Sequence, residues 1–595
     1  MNKIESLRAL MRSRDWDAVV LTGSDPHGSE YIPERYKQIR FITGYGGEAS
    51  GLVVTADDAG LWVDTRYIIE ARRALEGSGI TIHPQAVMGC RDLAQWTAEE
   101  LRGIENAQIA IDSLSTSALF EDALSDAAGG NCGIIGVPDL IGAIWPDRPE
   151  IPQTPLFTVD SEEGRRSKLD FLRSFCISEA CDAILLGALD EVAWALDVRA
   201  SDIEYNPYVI SYLLVTADQA VWYVLKGSIE DPVSGEVIER IEADGVRIED
   251  YSAALLIADD LQGGRRLHCS PECLNSALRA ALREAGVEII AGKSPVAARK
   301  AIKTDGEIEA MNRAQLLDGI AMEKFLYRLE KALDAEREVS EKDAALWLGQ
   351  LRARSEEYLT DSFETISAYG EGAALPHYVT PQENAPVLQR RGLYLCDSGG
   401  QYLCGTTDIT RTVPLGDCTQ LEKEDYTLVL KGHIDLASAV FPEGTPGCRI
   451  DAIAREALWK AHRNYGHATG HGVGFLLGVH EGPQCLRQDL NPVALEPGMV
   501  VSCEPGLYRE GMHGVRHENL LLCVQDRENE FGRWLRFDTL TLCHFDTSAL
   551  LPELLTEAEI SWLNDYNERV YVELSPYLSE EESLWLKEKT APLQA

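Results

Sequence analysis

The stretch Leu393-Tyr-Leu-Cys-Asp397-Ser-Gly-Gly-Gln-Tyr-Leu-Cys-Gly405-Thr-Thr-Asp408-Ile-Thr-Arg-Thr-Val413 decides the reading of this chain. Its two ends are strand-like, and the glycines between them permit a hairpin. Such a hairpin brings two acids, Asp397 and Asp408, together on one face. Alone, a pair of this kind is usually a turn acid plus a surface acid, so the rest of the chain has to be asked for partners.

Three later stretches supply them. His467-Ala-Thr-Gly-His471-Gly-Val-Gly474 spaces two histidines as a zinc helix would, but Gly466, Gly470, Gly472 and Gly474 argue against a helix. The glycines instead let the backbone pass close to a site into which the imidazoles project; loop histidines are the plain alternative. Val500-Val-Ser-Cys-Glu504-Pro-Gly506 reads as an apolar strand ending in an acid. Val515-Arg516-His517-Glu518-Asn519-Leu-Leu-Leu-Cys-Val524 reads as one further strand with a charged start. Buried acids are costly unless paired or metal-bound. Four carboxylates and one imidazole make a hard, oxygen-rich donor set, better suited to two divalent ions than to a structural zinc. Two such ions can activate a water and polarise a carbonyl.

The whole chain agrees with a soluble enzyme. Its 595 residues predict roughly four domains, or three larger ones. The formal net charge of −41 (55 basic, 96 acidic residues) argues against a nucleic-acid partner. No signal-peptide pattern opens the chain, and no apolar stretch approaches the ~20 residues a membrane helix needs. The most apolar one, 208–225, is interrupted by Asp218 and Gln219 and reads as two strands and a turn. The 14 cysteines form no CxxC pair and read as free thiols of a cytoplasmic protein. Gly292-Lys293-Ser294 imitates the end of a P-loop, but the upstream glycine is misplaced and Pro295 obstructs the helix start.

The first segment opens with an amphipathic helix (Ile4, Leu7, Leu10, Met11), then a strand at Ala18-Val-Val-Leu21 and more at 51–55 and 61–64. The stretch 145–155 holds four prolines and reads as a linker. The second segment repeats the style of the first, with a helix over 164–175 and a strand at 183–186, but without obvious residue identity. The third opens with a long helix over 305–337, and nine of the 12 histidines lie beyond residue 370.

The order Asp397, Asp408, His471, Glu504, Glu518 resembles the five-ligand signature of the pita-bread metallopeptidases. The words Gly405-Thr-Thr-Asp-Ile-Thr-Arg-Thr, Lys431-Gly-His, Thr469-Gly-His-Gly-Val-Gly, Val479-His-Glu-Gly-Pro and Glu504-Pro-Gly resemble those of the three-domain Xaa-Pro aminopeptidases. So do Arg40-Phe-Ile-Thr-Gly-Tyr and Trp62-Val-Asp-Thr-Arg-Tyr in the first segment, Asp190-Glu-Val-Ala-Trp and Tyr205-Asn-Pro in the second, and Trp562-Leu-Asn-Asp-Tyr near the end. The resemblance implies a multidomain α/β chain. Two creatinase-like α/β domains (1–153 and 154–296) would precede an α+β pita-bread catalytic domain (297–545) and a C-terminal helical extension (546–595).

The resemblance also implies roles. Asp397 would bind one metal, Asp408 and Glu518 would bridge two, and His471 and Glu504 would complete the second. The ions would be Mn2+, with Zn2+ or Co2+ as alternatives. His377 would sit by the substrate, and His467 and His480 would line the pocket and stabilise or shuttle protons. Arg516 would orient a ligating carboxylate, with Tyr508 as a further residue behind the site. Cys396 and Cys503 should point away from the metals as strand neighbours. Departures from the family pattern are Pro376 before His377, Cys503, and His517, which should face away from the metals and add a polar contact.

The implied reaction is hydrolysis of an N-terminal Xaa-Pro bond by a metal-bridging hydroxide, in a homodimer acting on peptides with proline second. Three rivals share the fold. They are a prolidase-like dipeptidase, a non-catalytic peptide- or protein-binding relative, and a creatine-hydrolysing enzyme without metal ligands. The remaining acids are expected to form a soluble surface whose negative field draws in a peptide amine.

Overall fold

A computed structural model of the chain describes residues 3–47, 50–64, 67–85, 87, 89–159, 161–261 and 265–594. Thr65 and Arg66, part of the first-segment words, lie outside the described residues. The chain divides into two units, Met1–Val296 and Ala297–Ala595.

The first unit is built on two six-stranded sheets. One contains β1 (Ala18–Thr22), β2 (Gly51–Thr55), β3 (Ala59–Val63), β4 (Thr81–Pro84), β5 (Ala107–Asp112) and β6 (Cys132–Val137), in the order β4-β3-β2-β1-β5-β6. The other contains β7 (Ala183–Leu186), β8 (Ser211–Thr216), β9 (Ala220–Val224), β10 (Val246–Asp250), β11 (Arg266–Cys269) and β12 (Glu288–Ala291), in the order β10-β9-β8-β7-β11-β12. The two orders are the same, shifted by six. The orientations also match: β1–β2 and β7–β8 are antiparallel, while β1–β5 and β7–β11 are parallel. The repeat that sequence identity did not make obvious is therefore a repeat of topology. The strands read as unbroken apolar runs because both faces are covered. Val19 and Leu21 enter one core cluster, and Ala18 and Val20 enter another. The 145–155 stretch has no helix or strand, yet it is pinned. Trp145 stacks on Phe41 with centroids 4.3 Å apart, and the Arg148 Nε–H donates to the Arg35 carbonyl at 2.9 Å.

The second unit opens with the long helix α1 (Asp305–Asp334), started by a Thr304/Glu307 capping box. Helix α2 (Glu341–Arg352) follows. Then come β13 (Tyr358–Asp361), β14 (Ile366–Tyr369), β15 (Leu393–Ser398), β16 (Gly400–Tyr402), β17 (Gly405–Thr406) and β18 (Ile409–Pro414). Beyond α3 (Gln420–Ala437), β19 (Val440–Pro442) and α4 (Asp451–Lys460) lie β20 (Gly470–Gly472), β21 (Glu481–Leu486), β22 (Val500–Cys503), β23 (Gly506–Arg509), β24 (His513–Arg516), β25 (Asn519–Asn529) and β26 (Gly532–Thr539). Helices α5 (Glu557–Leu574) and α6 (Glu580–Lys589) close the chain. Leu563, Val570 and Trp585 from these last helices share one core cluster with Phe325 of α1 and Ile434 of α3. The C-terminal stretch thus has no separate core.

The sheets place the acids at strand ends. β15 and β18 pair antiparallel with Asp397 opposite Thr410, so the expected hairpin forms. A six-stranded sheet runs β19-β26-β25-β22-β20-β21. The stretch 515–524, read as one strand, is two. β24 pairs with β23, and β25 pairs with β22 and β26. The chain breaks at His517-Glu518 because the Glu518 N–H leaves the ladder for the Thr410 carbonyl at 3.1 Å.

A buried arginine fastens this break. Arg411 donates to the carbonyls of Thr410, Glu518, Cys543 and His544, to the Asn519 side chain and to the Tyr566 hydroxyl. Beside it, His433 faces the Cys503 carbonyl through Nδ1 at 3.0 Å and the Asn519 amide through Nε2 at 3.2 Å. The first contact needs an Nδ1 proton and the second a lone pair, so this imidazole is neutral. Burial, reinforced by Arg411, pushes its pKa down to about 3.

An unfolded histidine titrates near 6.5. The stability that neutral His433 contributes is therefore complete above that value and declines as the pH falls towards about 3. The slope is at most about 1.4 kcal/mol per pH unit. In His433→Gln, urea unfolding from pH 7 to pH 5 is expected to show a shallower acid slope than wild type; an unchanged slope would refute the neutral-histidine assignment.

Candidate metal centre

Five groups, each in or beside a different strand, point at one place. Asp397 lies near the end of β15, Asp408 just before β18, His471 in β20, Glu504 just after β22 and Glu518 just before β25. The donor atoms of Asp408, His471 and Glu518 all lie within 4.8 Å of one another. His471 Nε2 stands 3.4 Å from Asp408 Oδ2 and 3.6 Å from Glu504 Oε1. Its Nδ1 faces the Gly472 carbonyl at 2.9 Å. That contact places a proton on Nδ1 and makes Nε2 the ring nitrogen that faces the carboxylates, where it can give up its own proton to a cation.

Two glycines make the position of His471 possible. A Cβ on Gly470 would lie 1.9 Å from the Ser502 carbonyl oxygen, and one on Gly472 would lie 2.1 Å from that of Glu481. The backbone on either side of the imidazole is thus pressed against its neighbours, as the glycine-rich sequence suggested.

The electrostatics describe an anionic pocket short of cations. Burial, together with Asp408, Glu504 and Asp397, pushes Glu518 far above the ordinary carboxylate range. Burial also raises Asp397, against the opposing pull of Arg516. Glu504 is pushed up to about 7, chiefly by burial and partly offset by His471 and Arg516. Burial alone would lower His471, but the hydrogen bond to Asp408 and the charges of Glu504 and Asp408 raise it to about 9. Asp397 Oδ1 is buried and has no hydrogen-bond partner among the described residues. An oxygen-rich set with mutual repulsion and an orphaned carboxylate oxygen fits divalent cations.

A hydrogen-bonded chain backs the pocket. Arg516 donates to Asp397 Oδ2 through Nε at 3.1 Å and again through Nη2. Its Nη1 donates to the Tyr508 hydroxyl at 2.7 Å, and that hydroxyl meets His467 Nε2 at 2.8 Å. His467 Nδ1 faces the Ala468 carbonyl at 2.7 Å, so Nε2 accepts the Tyr508 proton. The Thr410 hydroxyl donates to Glu518 Oε2 at 2.8 Å. His480 is exposed, with its ring edge-on to His471 at 4.4 Å. His377 is half-buried in the turn after 370–374.

Other expectations divide. Cys396 and Cys503 turn into core clusters behind the strands. His517 is fully buried, edge-on to Tyr426 at 4.6 Å and to Phe545 at 5.6 Å. The polar contact expected of it does not form: neither ring nitrogen has a hydrogen-bond partner among the described residues, because aromatic rings surround it.

Several supporting residues escaped the sequence reading. Arg455 pairs with Asp451 and donates to the carbonyls of Tyr465 and His467, holding the His467 loop. Their i,i+4 spacing on α4 was a visible signal. Asp425 holds Arg509 and His513 on the hairpin that presents Tyr508. Glu481, next to His480, is buried against Lys300 and Lys303 at 2.6 Å each. These long-range pairs left no local pattern.

Comparison with known proteins follows the same lines. Residues 309–525 match Metallopeptidase family M24, and 533–593 match the C-terminal region of that peptidase. Residues 3–143 and 147–307 each match the Creatinase/Prolidase N-terminal domain. A "Probable Xaa-Pro aminopeptidase P" of Ajellomyces capsulatus (strain NAm1 / WU24) is 34% identical over 615 residues, spanning 99% of each chain. This chain belongs to metallopeptidase family M24. A solved X-prolyl aminopeptidase from Caenorhabditis elegans, described as a cytosolic enzyme with a di-nuclear active site, is 31% identical with a TM-score of 0.92 and covers 99% of both chains. A Xaa-Pro dipeptidase from Bacillus anthracis is 25% identical with a TM-score of 0.53, and its whole length covers only 65% of this M24 chain. The fold is that of an M24 domain with creatinase-type N-terminal domains, as the sequence words implied.

Arg516→Lys keeps the charge but loses the two-point hold on Asp397 and the Tyr508 contact together. Divalent-ion affinity measured by calorimetry is expected to fall about 10–100-fold with the fold intact. Unchanged affinity would show that Arg516 does not orient Asp397 for a cation.

Proposed function

We propose that this chain is an Xaa-Pro aminopeptidase that holds two divalent ions and releases the first residue of peptides with proline second. One observation carries the reading: five donors converge in a chain that aligns over its full length with an X-prolyl aminopeptidase described as di-nuclear. In this reading Asp397, Asp408, His471, Glu504 and Glu518 would together hold the two ions. The hard donors favour Mn2+, with Zn2+ and Co2+ as competitors.

When bound, such a metal pair supplies a Lewis acid for the scissile carbonyl and an activated water. The side chains do the rest. Arg516 fixes the direction of Asp397. The Gly472 carbonyl holds the proton on Nδ1 of His471, so Nε2 remains a donor atom. The Tyr508 hydroxyl donates a hydrogen bond to His467 Nε2 and keeps that ring beside Glu504, with Nδ1 4.0 Å from its Oε2. In this reading His480, edge-on to His471, and His377 bind the substrate and offer hydrogen bonds to the oxyanion. The protonated amine of the first residue is drawn to the carboxylates. The Xaa-Pro amide has no N–H to present, so a site that works on the carbonyl alone suits it.

The prolidase-like reading is disfavoured by the extent of the match, since the dipeptidase corresponds to only part of this chain. The cytosolic description of the nematode enzyme supports a cytosolic location, and among the described residues no helix is long and apolar enough to cross a membrane. We propose a homodimer as the assembly.

The test compares wild type with Asp408→Ala after dialysis and reloading with Mn2+. Metal analysis is expected to find two ions in wild type and at least one fewer in the variant. Turnover of a peptide beginning Arg-Pro-Pro is expected to fall more than about 100-fold, exceeding the cost of losing a residue behind the ligands. Retained activity would sink the ligand assignment. Wild-type activity confined to Xaa-Pro dipeptides would replace this reading with the prolidase-like one.

A further inference from the structure

The segment that carries His377 is tied at both ends to one buried carboxyl group. Glu341 is the first residue of α2 and is fully buried. Its Oε1 accepts the Tyr369 N–H at 2.6 Å, and its Oε2 accepts the Tyr378 hydroxyl at 2.7 Å. Tyr369 ends β14, and Tyr378 directly follows His377. Between them run the turn Gly370–Ala374 and Leu375-Pro376-His377. A single side chain therefore closes the segment into a loop.

The arrangement is a costly one. Neither partner of the carboxyl group is charged, and Glu341 forms no ion pair among the described residues. Burial pushes it up to about 7, although both hydrogen bonds oppose the rise. An apolar side chain at this position would pack without that penalty. What the carboxyl group provides is two directional anchors. The far side of the loop is braced as well. Gly514 of β24 is pressed onto it so closely that a Cβ there would lie 1.7 Å from the Ala373 carbonyl oxygen. β24 ends at Arg516, which holds Asp397. Pro376 stiffens the backbone just before His377, so fixing the ends of the loop fixes the imidazole.

We propose that Glu341 is a positioning residue for His377, acting through the Tyr378 hydroxyl to set where the loop presents the imidazole to the substrate. The inference rests on the reading of His377 as a substrate-side residue. The Glu341 carboxyl group bonds to Tyr369 and Tyr378 and to none of the five donor residues.

The experiment is a double-mutant cycle on the metal-loaded full chain with an Xaa-Pro peptide, measuring kcat and KM separately. Tyr378→Phe removes only a hydroxyl from a half-buried ring, which keeps the test independent of whether Glu341 variants fold. It is expected to lower kcat/KM about ten-fold, with two ions still bound and the melting temperature little changed. In a His377→Ala background the same change is expected to cost nothing further. Glu341→Gln, which keeps an acceptor for Tyr369 and an amide for Tyr378, is expected to retain more activity than Glu341→Ala. Wild-type kcat/KM in Tyr378→Phe would overturn the inference, as would a full multiplicative loss on top of His377→Ala. Wild-type kcat/KM in His377→Ala itself would mean that the reading of His377 fails, and the inference with it. A clear loss in His377→Ala with an independent loss in Tyr378→Phe would sink the inference alone.

Discussion

Like charges repel, and this fold brings four carboxylates into one buried pocket. Asp397, Asp408, Glu504 and Glu518 face the imidazoles of His471 and His467 and the Arg516 guanidinium, and burial drives three of the acids, Asp397, Glu504 and Glu518, upward. Nothing in hydrophobic packing favours such a cluster. It exists because strands from two sheets end there, and because cations of the right number and hardness can neutralise it. The account of the molecule follows from this constraint: which backbone must be held still, where the chain's own cations are placed, and what chemistry the pocket can do.

The holding is done mostly by buried arginines set one layer behind the acids. Arg516 grips Asp397, while Arg411 gathers the backbone around Glu518 and ties it to the C-terminal residues 543–544 and to α5. Arg455 anchors the turn that carries His467. Several of these guanidinium contacts end on backbone carbonyls, so they fix chain path as well as charge. Glu341 plays the inverse part, a buried carboxyl group that anchors one amide and one hydroxyl. A chain with a net charge of −41 thus keeps a small set of cations where their geometry matters, and leaves most acids elsewhere.

Much of this was legible in the sequence. The unbroken apolar run Ala18-Val-Val-Leu21 came through as a strand, and it is buried on both faces because both sides of its sheet are covered. Glu504 and Glu518 stood out because each borders an apolar run, whereas Asp397 and Asp408 stood out only as a pair on one hairpin; the glycines around His471 announced a tight backbone approach. The break at His517-Glu518 was not legible. It arises from a hydrogen bond to Thr410, more than a hundred residues away in sequence, and the apolar run beyond it looks like one strand. The role of His517 was misjudged for a related reason: its aromatic neighbours, Tyr426 and Phe545, come from distant elements. Glu341 carried no local signal, since a glutamate in the first turn of a helix is ordinary.

The most direct test of the central claim is an anomalous-difference map from a crystal of the Mn2+-loaded protein, recorded at a wavelength sensitive to the metal. The account predicts two peaks, both within bonding reach of the set Asp397, Asp408, His471, Glu504 and Glu518. A single peak would contradict it. So would density placed instead at the buried Glu323, Cys543 and His544 group, the other cluster among the described residues whose donor atoms lie within 4.8 Å of one another.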